Sequence, residues 1–276
     1  MEQYKEYLFS AMLANVSYNT SDQLTDIWIK TKNSNKDNIS NIFSGVEKIP
    51  EFYNDNETGA YAFSILKEKT LYVIFRGTND SQDVVIDLNF ILISFIECNK
   101  KCKVHRGFLK QFSAIKDPIL KTIVENANNI ENIIFIGHSL GGALATLFTG
   151  YVASLYPKIK VSCHTFGSPR VGNKHYVKWF QNNVSCSNCV RITNQNDPVT
   201  QIPISGYFQH VSIAKCMMNN LTVKDLPDKK FLARLANLQI NCCKPVLAHS
   251  CQKYIENLMK LYDQSNIEEL TMSIRV

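Results

Sequence analysis

The stretch IIFIGHSLGGALATLF (133–148) constrains this chain more than any other. Ile133 to Ile136 is a β-branched and aromatic run that reads as a buried strand. Gly137-His138-Ser139-Leu140-Gly141 follows, and then a run of small and apolar residues from Gly142 to Leu147 that reads as a helix. Strand, GxSxG, helix is the context of a nucleophile elbow, a tight turn that lifts a serine above a sheet edge. The flanking glycines have a steric task, because a Cβ on either side would crowd the turn. Ser139 is therefore the candidate nucleophile. The alternative, a glycine turn with no chemical role, leaves the strand and the small-residue helix around it unexplained. The helix start also supplies backbone N–H groups able to hold a developing oxyanion.

A second strand, LYVIF (71–75), runs into Arg76-Gly77-Thr78. Further on come Val104-His105-Arg106-Gly107-Phe108, FGSPRVGN (166–173) and NDPVTQIP (196–203). Five motifs in this order resemble the class 3 lipase family, the fungal-lipase-like branch of the α/β-hydrolases. The resemblance runs from about Ser10 to about Leu258. It implies an α/β fold in which a mostly parallel central sheet is flanked by helices and an apolar lid segment covers the site.

Strand-like and helix-like segments alternate, which independently argues for a largely parallel sheet covered on both faces. The expected helices are 2–18, 108–127, 142–147, 173–181 and one from about Ser250. The expected strands are 60–66, 71–75, 133–136, 159–166, 190–193 and 207–214. The 276 residues, 45% of them hydrophobic, suffice for one sizeable core, and no repeat or long linker divides them, so residues 1–276 read as a single domain.

A serine hydroxyl is a poor nucleophile and needs a base, which needs an orienting carboxylate. In α/β-hydrolases the chain order is Ser, then Asp or Glu, then His. Asp197 lies just past the strand 190–193, where functional side chains of open α/β sheets sit. It matches the N-x-x-D-P-V segment of the family, although Asp-Pro often does no more than cap a turn. Asp225 and Asp228 lie in a polar loop and are weaker choices. For the base, His164 and His175 come before the acid. His210 follows it by thirteen positions in a strand-like run, where the family has a structural histidine. His249 opens AHSCQKYIENL (248–258), which resembles the family's H-S-x-x-x-Y-I pattern around the catalytic histidine. The expected set is Ser139, Asp197 and His249. The oxyanion hole is expected from the N–H of Leu140 and, by the resemblance, that of Thr78. Arg76, His105 and His138 read as structural.

VVIDLNFILISFI (84–96) has ten apolar residues in thirteen. By the resemblance it holds the lid and the start of a strand. Asp87 and Asn89 favour a partly exposed helix in its first half; the other reading is buried core. An apolar cover over a serine suits an acyl-chain substrate and transient contact with a lipid interface. The expected activity is hydrolysis of lipid carboxylic esters, as an acylglycerol lipase or carboxylesterase. The alternatives are phospholipid, galactolipid or aromatic-acid esters on the same fold, and a non-catalytic lipase-like interaction module. No metal or organic cofactor is implied.

The net charge of +6 is thinly spread, and no nucleic-acid motif is present. Cys186-Ser187-Asn188-Cys189 lacks the second pair that a zinc site needs. No run is apolar enough to span a membrane. The first residues, with two acids among six and no basic region or clean cleavage site, read as an amphipathic helix and not a signal peptide. Nine cysteines, an odd number, then imply free thiols in an intracellular, cytoplasmic protein. Were it secreted, Cys98 with Cys102 and the 242–251 group would be the candidates for pairing.

Overall fold

In a computed structural model, the structure describes residues 2–32, 42–46, 48–78, 90–203, 205–227 and 244–273. In chain order the elements are α1 (Glu2–Val16), α2 (Ser21–Lys32), β1 (Glu51–Asp55), β2 (Ala60–Lys67), β3 (Thr70–Phe75), β4 (Leu92–Ser94) and β5 (Lys103–His105). Then come α3 (Arg106–Glu125), β6 (Asn132–His138), α4 (Leu140–Leu155), β7 (Lys160–Phe166), α5 (Lys174–Asn183) and β8 (Cys189–Asn194). β9 (Ala214–Met217), β10 (Val223–Leu226), α6 (Lys244–His249) and α7 (Cys251–Ser273) follow.

Eight strands form one sheet in the order β1-β2-β3-β6-β7-β8-β9-β10. The pairings from β3 through β6, β7 and β8 to β9 are parallel, and antiparallel pairs close both edges. The apolar run in β6 follows from this. Strand side chains alternate between faces, and both faces are covered, so both must be apolar. Ile133 and Phe135 pack with Phe108, Phe112, Leu144 and Phe148 of α3 and α4. Ile134 and Ile136 pack with Leu8 and Ala11 of α1 and with Tyr254 and Leu258 of α7. Phe75 stacks on Phe148 at 4.9 Å between centroids, which locks β3 to the helix that follows Ser139. Among the described residues no helix is long and apolar enough to cross a membrane.

The strand expected over 207–214 begins only at Ala214, where β9 takes up its register with Arg191 of β8. The preceding residues make isolated bridges, such as Gln209 with Gly172, instead of a ladder. Of the apolar stretch 84–96, residues 84–89 lie outside the described residues, so the expected lid helix is not placed. The second half is anchored: Leu92–Ser94 pairs with Lys103–His105, and Phe95 is buried against Phe112, Tyr176 and Trp179.

The expectation of nine free thiols in an intracellular protein is overturned. Cys98 and Cys102 are joined in a disulfide, with Cα atoms 6.1 Å apart. They lie in the turn between β4 and β5, which closes through Phe95 N–H to Cys102 O (2.9 Å) and Cys102 N–H to Asn99 O (3.0 Å). A hairpin brings two thiols together whatever the cysteine count elsewhere, so an odd total is uninformative here. Such a bond points to an oxidising, extracellular setting and not the cytoplasm. Cys163, Cys186, Cys189, Cys216 and Cys251 keep their thiols outside any disulfide. Cys242 and Cys243 lie outside the described residues.

Candidate active site

Ser139 stands between the end of β6 and the start of α4 at φ 56°, ψ −128°. For a residue with a Cβ this region costs on the order of 1–3 kcal/mol and persists only where the surroundings enforce it. Enforcement comes from close packing. A Cβ on Gly137 would lie 2.2 Å from the Gly141 carbonyl carbon, and one on Gly141 would lie 2.1 Å from Phe75 O. Both expected glycine roles are thus steric. Ser139 N–H donates to Phe166 O at 2.9 Å, which ties the turn to β7. A serine at a helix start usually caps the helix through its hydroxyl. Ser139 makes no such bond; its Oγ lies 2.8 Å from His249 Nε2.

His249 ends α6, and its Nδ1 lies 3.0 and 2.9 Å from the two carboxylate oxygens of Asp197. A carboxylate only accepts, so Nδ1 carries the proton and Nε2 presents its lone pair to the Ser139 hydroxyl. The three residues are 1%, 2% and 2% exposed for Ser139, Asp197 and His249. Asp197 follows β8 in a turn closed by its own Oδ1, which accepts from Val199 N–H at 2.9 Å. The turn-capping role and the contact with His249 therefore coexist on one carboxylate. His210 does not join this row: its Nε2 donates to Thr200 O at 2.8 Å and steadies the loop after Asp197. His164 is buried beside Ser10, His175 lies exposed on α5, and Asp225 lies in β10.

Several contributors were not named from sequence. Tyr254 on α7 donates its hydroxyl to Asp197 Oδ2 at 2.6 Å while accepting Asn194 N–H at 3.0 Å. Burial, and then the Asp197 charge, push the Tyr254 phenol well above its ordinary value, so it stays a donor. Asn194 also donates to Ala248 O at 2.8 Å, holding the backbone beside His249. Both residues stand inside quoted motifs, Tyr254 in H-S-x-x-x-Y-I and Asn194 in N-x-x-D-P, so the signal was present without a role attached. Gly167, within FGSPR, has φ +61° and faces both Asp197 and His249. Arg170 is buried and donates to Pro203 O at 2.9 Å and to Gln201 O, clamping the segment that follows Asp197.

The expected oxyanion donors lie on the two segments flanking Ser139. Leu140 is the first residue of α4. Thr78 ends the described part of the loop after β3, and in that loop a Cβ on Gly77 would meet His138 O at 2.7 Å and Ser139 Cβ at 3.2 Å. Arg76 lies over the Tyr61 ring at 4.3 Å, in keeping with a structural tether. His105 accepts from Gly107 N–H at the start of α3, also a structural position.

Several lipases are similar to this chain in sequence or in fold. The family model described as Lipase (class 3) matches residues 72–207, about half of the chain. A lipase of Rhizopus niveus is 31% identical over 131 residues, 46% of this chain and 33% of that protein. The chain thus spans about a third of the length of that relative. A secreted mono- and diacylglycerol lipase A of Penicillium cyclopium is 28% identical over 214 residues, 75% of this chain and 68% of that protein. The solved triacylglyceride lipase of Rhizomucor miehei superposes with a TM-score of 0.70 at 20% identity, over 90% of this chain and 93% of that one, a likeness of fold. The family match takes in the GHSLG elbow, Asp197 and the parallel strands between them, and this chain belongs to the class 3 lipase family.

Proposed function

We propose that the protein is a carboxylic-ester hydrolase acting on acylglycerols through an acyl-enzyme. The observation that carries this reading is the buried row Asp197–His249–Ser139, in which each group is within hydrogen-bond reach of the next. Ser139 Oγ attacks the ester carbonyl carbon while His249 Nε2 takes its proton. Asp197 holds the Nδ1–H tautomer and favours the imidazolium that forms. The carbonyl oxygen becomes an oxyanion, held by the N–H groups of Leu140 and Thr78. As the carbon–oxygen bond to the alcohol breaks, His249 returns the proton to the leaving oxygen. Water, deprotonated by His249, then attacks the acyl carbon and releases the fatty acid and free Ser139. No step in this sequence calls for a metal or organic cofactor.

The acyl preference is supported by apolar surface around the site segments. Leu247, two residues before His249, is 67% exposed, and Phe90, at the border of the 84–96 stretch, is 43% exposed. Side chains of this kind favour a lipid interface over bulk water. The names of the Rhizopus and Penicillium relatives support the same substrate class. The test is hydrolysis of acylglycerols and of p-nitrophenyl esters from short to long chain, with Ser139→Ala as control. Activity on acylglycerols that vanishes in the control is expected. Preference for phospholipid, galactolipid or aromatic-acid esters would keep the mechanism and replace the substrate. Wild-type protein inert to esters and to fluorophosphonates would overturn the enzyme reading in favour of an interaction module.

A further inference from the structure

His138 precedes Ser139 and is buried, yet both of its ring nitrogens are engaged. Its Nε2 lies 2.6 Å from the backbone carbonyl oxygen of His249, and its Nδ1 lies 2.7 Å from the Tyr18 hydroxyl. A carbonyl only accepts, so Nε2 must carry the proton. Nδ1 is then bare, and the Tyr18 hydroxyl donates to it. Gly77 packs against the same tyrosine oxygen, and a Cβ on Gly77 would lie 2.4 Å from it. The direction of every link is thereby forced. Tyr18 O–H donates to His138, and His138 N–H donates to the carbonyl of His249, while Gly77 is packed against the Tyr18 oxygen.

These links join segments that have no covalent reason to stay in register. Gly77 precedes Thr78 in the loop that flanks Ser139. Tyr18 lies just beyond α1, His138 ends β6, and His249 ends α6. The His138 and His249 rings also lie with centroids 4.7 Å apart, so a proton on His138 would put a positive charge against the base. Burial, and then the nearness of His249, hold the His138 imidazole well below its ordinary value. The link thus remains in its neutral, one-proton form.

We propose that Tyr18 and His138 are positioning residues that fix the oxyanion loop and the base His249 relative to one another. This rests on the hydrolase reading above. The alternative is packing alone, which would affect stability without a separate effect on turnover.

The two bonds of His138 can be cut separately. Asn at 138 places an amide oxygen near the Nδ1 position and keeps the Tyr18 bond only. Gln reaches the Nε2 position and keeps the donation to His249. On a soluble p-nitrophenyl ester, His138→Asn is expected to lower kcat by about tenfold or more with little change in KM, while His138→Gln recovers much of that loss. Tyr18→Phe is expected to lower kcat as well, and adding it to His138→Asn should cost less than the product of the two single effects, because the links act in series. Wild-type kcat in a folded His138→Asn protein would overturn the proposal, as would equal losses in Asn and Gln that follow the melting temperature.

Should the variants not fold, ¹⁵N NMR of histidine-labelled wild-type protein decides the matter. His138 is expected to remain the Nε2–H tautomer from about pH 5 to about pH 8. A proton on Nδ1 would overturn the chain of bonds. Fluorophosphonate labelling of wild-type protein, absent in Ser139→Ala, separates the two ideas. If labelling is present and the variants behave as wild type, only the positioning role falls. If labelling is absent, the hydrolase reading falls and takes this inference with it.

Discussion

Gly167 and Asp197 approach so closely that a Cβ on the glycine would sit 2.7 Å from Asp197 Oδ2 and 3.1 Å from His249 Cε1. The glycine also has φ +61°, a conformation that side chains disfavour. Gly167→Ala is therefore expected to displace the carboxylate or the imidazole. The effect should be a loss of about 10²-fold in turnover, since small misplacements in such sites are costly. Steady-state kinetics on a short-chain ester would check this. Full activity in the variant would mean that the Asp197 position is not critical.

Ser139→Ala and His249→Ala should each reduce esterase activity by several orders of magnitude, because the members of such a row act as a unit. Asp197→Asn should cost somewhat less, though still a great deal. His210→Ala removes a bond to Thr200 O and should lower the melting temperature with a modest effect on turnover. An inactive, well-folded His210→Ala protein beside an active His249→Ala protein would reverse the assignment of the base.

Tyr254→Phe leaves Asp197 without its 2.6 Å donor and leaves Asn194 N–H without an acceptor. Leaving a buried polar group unpaired costs about 1–3 kcal/mol. The variant is expected to melt lower and to turn over more slowly, with KM little changed. Denaturant titration alongside kinetics would separate the two effects. Unaltered stability would show that Tyr254 contributes nothing net.

The predictions lean on residues whose sequence signal differed in kind. The elbow and the Asp and His positions were readable because chemistry restricts residue type and chain order together. Thr78, by contrast, was assigned through resemblance, because a backbone N–H leaves no mark on residue type. The hairpin β4–β5 was hard to see because its strands have three residues each, with β4 merged into a longer apolar run and β5 set in a polar, lysine-rich stretch. Helix α2, SDQLTDIWIKTK, was missed since it is largely polar, and among its described side chains only Leu24 is fully buried against the core. The late start of β9 is a matter of register with β8, which local alternation does not encode.

His164 supplies a pH prediction. Burial lowers its pKa from an ordinary 6.5 to about 4. The unfolded chain therefore binds a proton on His164 between those values while the folded protein does not. By linkage, this contribution to stability is complete above about pH 6.5 and is lost as the pH falls toward about 4, by roughly 2–3 kcal/mol. Glu6, 3.7 Å away and half exposed, works against the shift and favours the lower figure. Chemical denaturation across this range should show a decline that is flatter in His164→Gln. The same slope in both proteins would assign the decline to other groups.

Thiol titration in denaturant without reductant should find at least two fewer than the nine cysteines of the chain, with two recovered on reduction of Cys98–Cys102. Nine reactive thiols before reduction would remove the argument for an oxidising setting.

Helix α1 and helix α7 pack against each other over Ile134 and Ile136, so the two ends of the described chain meet beneath the site. Ser139 and Asp197 follow β6 and β8 of the same parallel sheet, whereas His249 depends on that distant closure. Contacts between far-separated segments form late and slowly in folding. Recovery of catalysis after denaturation should therefore trail recovery of sheet structure, and hydrolysis would serve as a clock for the meeting of the two ends.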